Sequence, residues 1–130
     1  MVPLMRICIL GVPKAGKTTL ASNLARDQRA PVRHTDSLID THSWSDASTE
    51  AATWLDEERP WIVEGVAVGR ALRKWLAAHP TGKPCDFAIW MGEPRMKLSP
   101  GQETMARGCE TVWREIAPEL RRRGVDLRVA

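Results

Sequence analysis

The sequence predicts an α/β fold of three layers (α/β/α) around a five-stranded parallel sheet. Two observations predict it. Short, nearly continuous apolar runs of the kind parallel strands make alternate five times with segments whose apolar residues recur every three or four positions. The first run also stops at a glycine and passes through a short loop straight into a helical pattern. At 130 residues, with 43% hydrophobic and 27% charged residues, the chain suits one globular domain, 1–130, with a single core.

The elements follow in order. Residues 5–10 (MRICIL) read as a buried strand, and a helix from about Lys17 to Asp27 sets Leu20 and Leu24 on its inner face. Val32 to Thr35 is a short second strand that ends at Asp36. A polar loop occupies 36–48, after which Ser48 is the expected N-cap of a helix presenting Ala51, Ala52 and Leu55 on one side. WIVEGV (61–66) is a third strand with an acid near its end. GRALRKWLAAHP places Leu72, Trp75 and Leu76 on one helical face, and Pro80 stops it. CDFAIWMG (85–92) is a fourth strand. The long segment that follows carries Met105, Cys109, Val112, Ile116 and Leu120 at helical spacing, with Pro118 expected to kink or split it. Arg121, Arg122 and Arg123 before Gly124 read as a helix end, cations in the last turn followed by a glycine. VDLRVA (125–130) is the fifth strand.

Charge and cysteine content exclude several classes. Cys8, Cys85 and Cys109 are widely spaced with no paired motif, and the three histidines show no metal spacing, so neither a disulfide framework nor a zinc site is expected. No apolar run approaches the roughly 20 residues of a membrane span, and the N-terminus lacks a signal peptide's organisation, so a cytoplasmic location is expected. The net charge is +3, yet residues 34–64 hold eight acids against one base, Arg59. Nucleic-acid faces carry concentrated basic stripes with interleaved aromatics. Nucleic acid is therefore a disfavoured partner.

Ligands of open parallel sheets sit at the carboxyl ends of the strands, and three of those ends are Gly11, Asp36 and Glu64. Gly11-Val-Pro13-Lys14-Ala15-Gly16-Lys17-Thr18 matches the Walker A pattern G-x-x-x-x-G-K-[ST] in full, and Thr19 continues it. Glycines let successive N–H groups turn inward around an anion, and the helix beginning near Lys17 adds its positive end. Lys17 can reach the terminal phosphates, and the Thr18 hydroxyl is a ligand for Mg²⁺. Binding of a nucleoside triphosphate with magnesium, within a P-loop NTPase fold, is the expectation. The Asn-Lys-x-Asp of a GTPase is absent, and the nearest approach to a Walker B strand is WIVEG, with Glu64 alone.

With these motifs the chain resembles the small P-loop kinases: the nucleoside monophosphate kinase, shikimate kinase and zeta-toxin-like group. Its compact form resembles kinase-like proteins carried by bacteriophages. The resemblance covers nearly the whole length as an order of elements and is specific at the P-loop. It implies ATP and Mg²⁺ as donor and cofactor, and a small-molecule acceptor such as a nucleoside, nucleotide or other hydroxylated metabolite. It also implies that Asp36, in HTD, touches the acceptor hydroxyl, and that VEGVAVGR contributes Glu64 and Arg70 after the third strand. Arg95, Lys97 and Arg107 fall where the group places the cations that clamp the transferring phosphoryl. The chemistry needs a metal, a lysine, one or two arginines and a carboxylate for the nucleophile. Asp36 is assigned to orienting or deprotonating the acceptor, and Glu64 to the magnesium shell or the acceptor, with exchange of the two roles left open.

The acceptor is expected between 36 and 58, where Asp40, His42, Trp44 and Asp46 could contact a hydroxylated molecule. The acidity there disfavours an anionic acceptor unless Arg59, Arg70 or Arg73 reaches in. Two features depart from the group: the lid is short and lacks spaced arginine pairs, and no adenine-gripping loop follows strand five. Recognition of the base then falls to loose contacts or to the start of the long helix. Three alternatives stand beside the small-molecule kinase. One is an NTPase in which Asp36 or Glu64 activates water; another is a nucleotide-dependent binding module. The third, a polynucleotide 5′-hydroxyl kinase, is disfavoured by the acidic segment.

Overall fold

The computed structural model describes residues 4–130. Five strands, β1 (Arg6–Gly11), β2 (Val32–His34), β3 (Trp61–Glu64), β4 (Phe87–Met91) and β5 (Asp126–Val129), make one wholly parallel sheet in the order β2-β3-β1-β4-β5. Five helices connect them: α1 (Lys17–Gln28), the single turn α2 (Asp36–Ile39), α3 (Trp44–Trp54), α4 (Val68–Ala78) and α5 (Pro100–Arg122).

Handedness sets the layers. The crossover from β1 to β2 runs one way along the sheet, and every later crossover runs the other way. Parallel crossovers are right-handed, so α1 covers one face while α3, α4 and α5 cover the opposite one. Packing agrees: α1 lies on β1, β2 and β3, whereas α4 touches both α3 and α5. The central strand β1 is covered from both sides, and Ile7, Cys8, Ile9 and Leu10 are all buried. Leu72, Trp75 and Leu76 of α4, with Cys109, Val112, Ile116 and Leu120 of α5, close the core on the second face. The three cysteines are free and buried, in keeping with a packing role. Among the described residues, no helix is long and apolar enough to cross a membrane.

Two expectations are corrected. Ser48 is not an N-cap. Helix α3 starts five residues earlier, at Trp44, capped by the Ser43 hydroxyl, which accepts from the Asp46 N–H at 3.1 Å. Ser48 lies inside the helix, buried, and donates to the Ser45 carbonyl at 3.0 Å. The polar residues that read as loop thus form α2 and the first turn of α3, because capping serines and acids favour a helix start as readily as a turn. Nor does Pro118 divide the long helix, which is unbroken from Pro100 to Arg122. Pro118 and Arg114, whose carbonyl loses its helical donor, both face solvent, while Ile116 and Leu120 on either side are anchored in the core. Water can therefore satisfy the freed carbonyl.

The basic end of α5 is a terminator, and it also acts across the fold. Gly124 takes φ 91°, and its N–H donates to the Arg121 carbonyl. Arg123, its side chain 7% exposed, donates to the carbonyls of His79 (2.6 Å), Gly82 (3.2 Å) and Leu76 (3.3 Å) and pairs with Glu119. A buried guanidinium there satisfies the open carbonyls at the end of α4. Arg123→Ala is expected to cost about 2–3 kcal/mol in urea unfolding, since it leaves buried acceptors without a charged donor.

Candidate active site

The carboxyl edge of the sheet brings the strand ends together. His34 and Glu64 are paired in register, as are Ile9 and Glu64, and Gly11 and Met91. The loop 11–16 leaves β1 at this edge and enters α1. At Gly11 any side chain is excluded, because a Cβ would lie 2.1 Å from the Met91 carbonyl oxygen, to which Val12 donates. Gly16, the residue before α1, sits at φ 93°, in the left-handed region that glycine tolerates. Among the described residues, no backbone or side-chain acceptor is found for the N–H groups of 14–18, which stand at a helix N-terminus. That is the arrangement an anion fits.

A cavity of about 440 Å³ opens over this loop. Pro13, Lys14, Ala15, Gly16, Lys17, Thr18 and Thr19 of the loop line it together with Asp36, Asp40, Trp44 and Glu64. Lys17 is buried and its Nζ donates to the Val12 carbonyl at 2.5 Å. Burial lowers its pKa below the ordinary lysine value, against the opposing pull of the Glu64 and Asp36 carboxylates. Protonation of Lys17 favours phosphate binding, so nucleotide affinity should decline with rising pH below the ordinary lysine value of about 10.4. Titration calorimetry between neutral and alkaline pH checks this. Linkage has the opposite sign for folding: a lowered folded-state pKa means the unfolded chain binds more protons, so this group's contribution to stability grows as pH rises.

Glu64, only 1% exposed, connects three elements. Its Oε1 accepts from the Thr18 hydroxyl at 3.3 Å and lies 2.6 Å from His34 Nδ1. A hydroxyl and a carboxylate at this spacing form an oxygen donor set suited to a hard divalent cation, and Thr18 with Glu64 could hold Mg²⁺. Asp36 lines the same cavity as the first residue of α2.

The clamp candidates separate. Arg95 lies across the loop, with its guanidinium carbon 2.8 Å from where a Cβ on Gly16 would stand, and its N–H donates to the Lys14 carbonyl. Lys14 Nζ reaches the Lys97 carbonyl at 3.4 Å, tying the 93–99 segment to the loop. Arg107 is exposed, donates to the Thr104 hydroxyl and does not line the cavity. Arg70 does not line it either. Its guanidinium lies 4.9 Å from the Trp44 ring centroid, on which it stacks. Arg59 and Arg73 are directed to Asp86 and Glu115, and His42 bonds within its own turn.

Sequence reasoning missed His34, Ile39, Val66, Gln102 and Met105 at this site. The alternation of HTD, with Asp36 two residues beyond His34, was the available signal for His34. Gln102 and Met105 stand at the start of α5, where Ser99 and Gln102 form a reciprocal capping box.

A parallel sheet in this order, with a glycine loop after its first strand, is a fold that solved shikimate kinases share. Among solved structures the chain is similar to shikimate kinase from Aquifex aeolicus, at TM-score 0.59 and 16% identity, covering 96% of this chain and 85% of that one. It is similar to shikimate kinase from Acinetobacter baumannii in complex with shikimate at TM-score 0.59 and 12% identity, covering 98% and 83%. Shikimate kinase from Bacteroides thetaiotaomicron aligns at TM-score 0.50 and 16% identity, covering 97% and 87%. At these identities the likeness shows the fold. No family model matches the sequence, and no curated protein matches it at the level of sequence.

Proposed function

We propose that the protein is a P-loop phosphotransferase that moves the γ-phosphoryl group of ATP to a hydroxyl on a small molecule. The observation that carries this reading is the shared cavity, which the phosphate loop lines together with Asp36, Asp40 and Trp44. A switch or motor needs no second seat beside the triphosphate.

Each residue has a task that its position supports. The open N–H groups of 14–18 and the Lys17 ammonium bind the phosphates. Thr18 and Glu64 would hold a magnesium ion, which would supply neutralisation of the developing charge. Arg95, whose guanidinium lies against Gly16, is the arginine assigned to the transferring phosphoryl. Asp36 orients the acceptor hydroxyl and takes its proton as the oxygen attacks the γ-phosphorus and the bond to ADP breaks. His34 steadies the Glu64 carboxylate. The A. baumannii enzyme is described in complex with shikimate, which makes shikimate one acceptor to try.

The experiment is a screen with γ-labelled ATP against nucleosides, nucleotides, sugars, shikimate and oligonucleotides. Label is expected in one class of small acceptor. Asp36→Ala is expected to lower transfer by about 10²- to 10⁴-fold while nucleotide affinity stays within a few fold. Label appearing only as free phosphate, whatever the acceptor, would point to a simple NTPase and overturn the reading.

A further inference from the structure

The sheet ends in two edges of different kinds. At one, β2 is three residues long, and its Arg33 is engaged by Glu57 and by the Trp54 ring. At the other, β5 pairs with β4, and among the described residues no strand lies against its outer side. Asp126, Arg128 and Val129 are exposed, Val129 at 79%, while Leu127 is half-buried. An open edge invites another strand unless something blunts it.

The main-chain groups of β5 have a fixed direction. The N–H groups of Asp126 and Ala130 donate to the carbonyls of Asp86 and Trp90, so the even-numbered residues address β4. Leu127 and Val129 therefore turn their N–H and C=O groups outwards, since both groups of a residue in a parallel ladder point to one side. An antiparallel copy of the strand can bond them only in a register that sets odd residues opposite odd ones. Twofold axes through residue 126, 127 or 128 meet that condition.

Charge selects among the three. An axis through Asp126 sets that carboxylate against its own copy, and one through Arg128 does the same for the guanidinium. An axis through Leu127 sets each Asp126 opposite an Arg128 of the other copy. These are positions without mutual main-chain bonds, where facing Cα atoms stand about 4.5 Å apart and side chains are closest. Within one chain the two residues already pair, Arg128 Nε lying 2.9 Å from Asp126, with both side chains exposed. A guard of a single sign would repel a second copy. This pair of opposite signs attracts one.

We propose that β5 is a self-pairing edge, which joins antiparallel to β5 of a second copy of this chain about a twofold axis through Leu127. The two five-stranded sheets then meet edge to edge. The Leu127 N–H and C=O groups exchange bonds across the axis. The Val129 N–H donates to the partner's Val125 carbonyl, whereas the Val125 N–H is held by the Leu120 carbonyl and takes no part. Exposed ion pairs add little affinity, so the charges fix the register while main-chain bonds and the covering of Val129 hold the contact. Stable interfaces bury about 1,200–2,000 Å² and one short strand pair buries less, so dissociation falls on the order of 10–100 µM. No residue of β5 lines the cavity over the phosphate loop, so both copies keep that site open. The pairing stands whether or not the site transfers phosphoryl groups.

Sedimentation velocity of the full chain, from about 1 µM to about 1 mM, is the test. The average mass is expected to rise with concentration from 14.5 kDa towards twice that value. Asp126→Arg and Arg128→Asp each place like charges across the axis, and each should weaken pairing by about tenfold or more. Mixed together, the two variants should pair with one another, and a chain carrying both exchanges should pair as the parent does. Val129→Pro removes an outward N–H that β4 does not use and should also leave a monomer. The substituted side chains are exposed, so Tm should stay near the parental value in every variant. A chain that remains monomeric throughout the range overturns the proposal. A dimer indifferent to both single exchanges, or a mixture that restores no pairing, overturns it too.

Discussion

Lys17→Ala is expected to lower phosphoryl transfer by about 10²- to 10³-fold, equivalent to about 3–4 kcal/mol of transition-state stabilisation, without lowering Tm. Lys17 is the one ammonium that the fold buries inside the phosphate loop, with its Nζ against the Val12 carbonyl. Burial works against its charge, which is why its pKa is lowered. Removing it therefore relieves a desolvation cost in the folded protein, although it leaves the Val12 carbonyl without that donor and some space unfilled. The expected signature is a protein as stable as the parent that binds nucleotide weakly and barely transfers phosphoryl. Scanning calorimetry beside a labelled-ATP assay separates this from unfolding. A variant with parental nucleotide affinity would mean that the loop does not hold a triphosphate.

Gly11→Ala is expected to destabilise the fold by at least about 3 kcal/mol, a fall of roughly 10 °C in Tm. The new Cβ would lie 2.1 Å from the Met91 carbonyl oxygen and 2.8 Å from its carbon, both backbone atoms of the neighbouring strand. Neither can swing aside. The β1–β4 pairing that seats the loop must separate, so nucleotide affinity and stability should fall together. Gly16→Ala is the contrast. There the Cβ meets the Arg95 guanidinium, the far end of a flexible chain, and the main cost is the left-handed backbone, about 1–2 kcal/mol. Parallel urea unfolding of the two variants should place Gly11→Ala well below Gly16→Ala.

The readable parts of the chain were those with a strong local signal. Buried parallel strands write nearly uninterrupted apolar runs; β3 and β4 fall within the segments expected from them, and β1 runs one residue past its segment, to Gly11. The inner stripe of α5 is buried from Cys109 to Leu120 as its spacing predicts. Less readable was 36–48, where Asp36, Ser43 and Asp46 suit a turn and a helix cap equally. The packing of α3 against α4 is a tertiary contact that accompanies the helical outcome. Pro118 does not split the long helix for a related reason. Its penalty depends on whether the freed carbonyl can reach water, and that depends on which way the helix faces.

At the site, the Walker A residues carried their chemistry in their order, because a phosphate loop is built from consecutive backbone groups. Glu64 was legible as a strand end; Asp36, expected as one, instead stands two residues beyond β2, as the first residue of α2. The contact of His34 with Glu64 was not, since it joins residues 30 apart through a strand register that no local pattern records. The same holds for Arg95 and Arg107. Both are arginines in a plausible region, yet only Arg95 crosses Gly16, because the Lys14 and Arg95 backbones are bonded to each other.

The sequence alone thus determined the fold class, the phosphate loop and the acidity of the 36–58 segment, all properties of neighbouring residues. Tertiary structure decided which cations face that acidity. Arg59, Arg70 and Arg73 could each have answered it, and the packing sends them to Asp86, to the Trp44 ring and to Glu115. Long side chains choose partners by distance in space, which the order of residues does not encode.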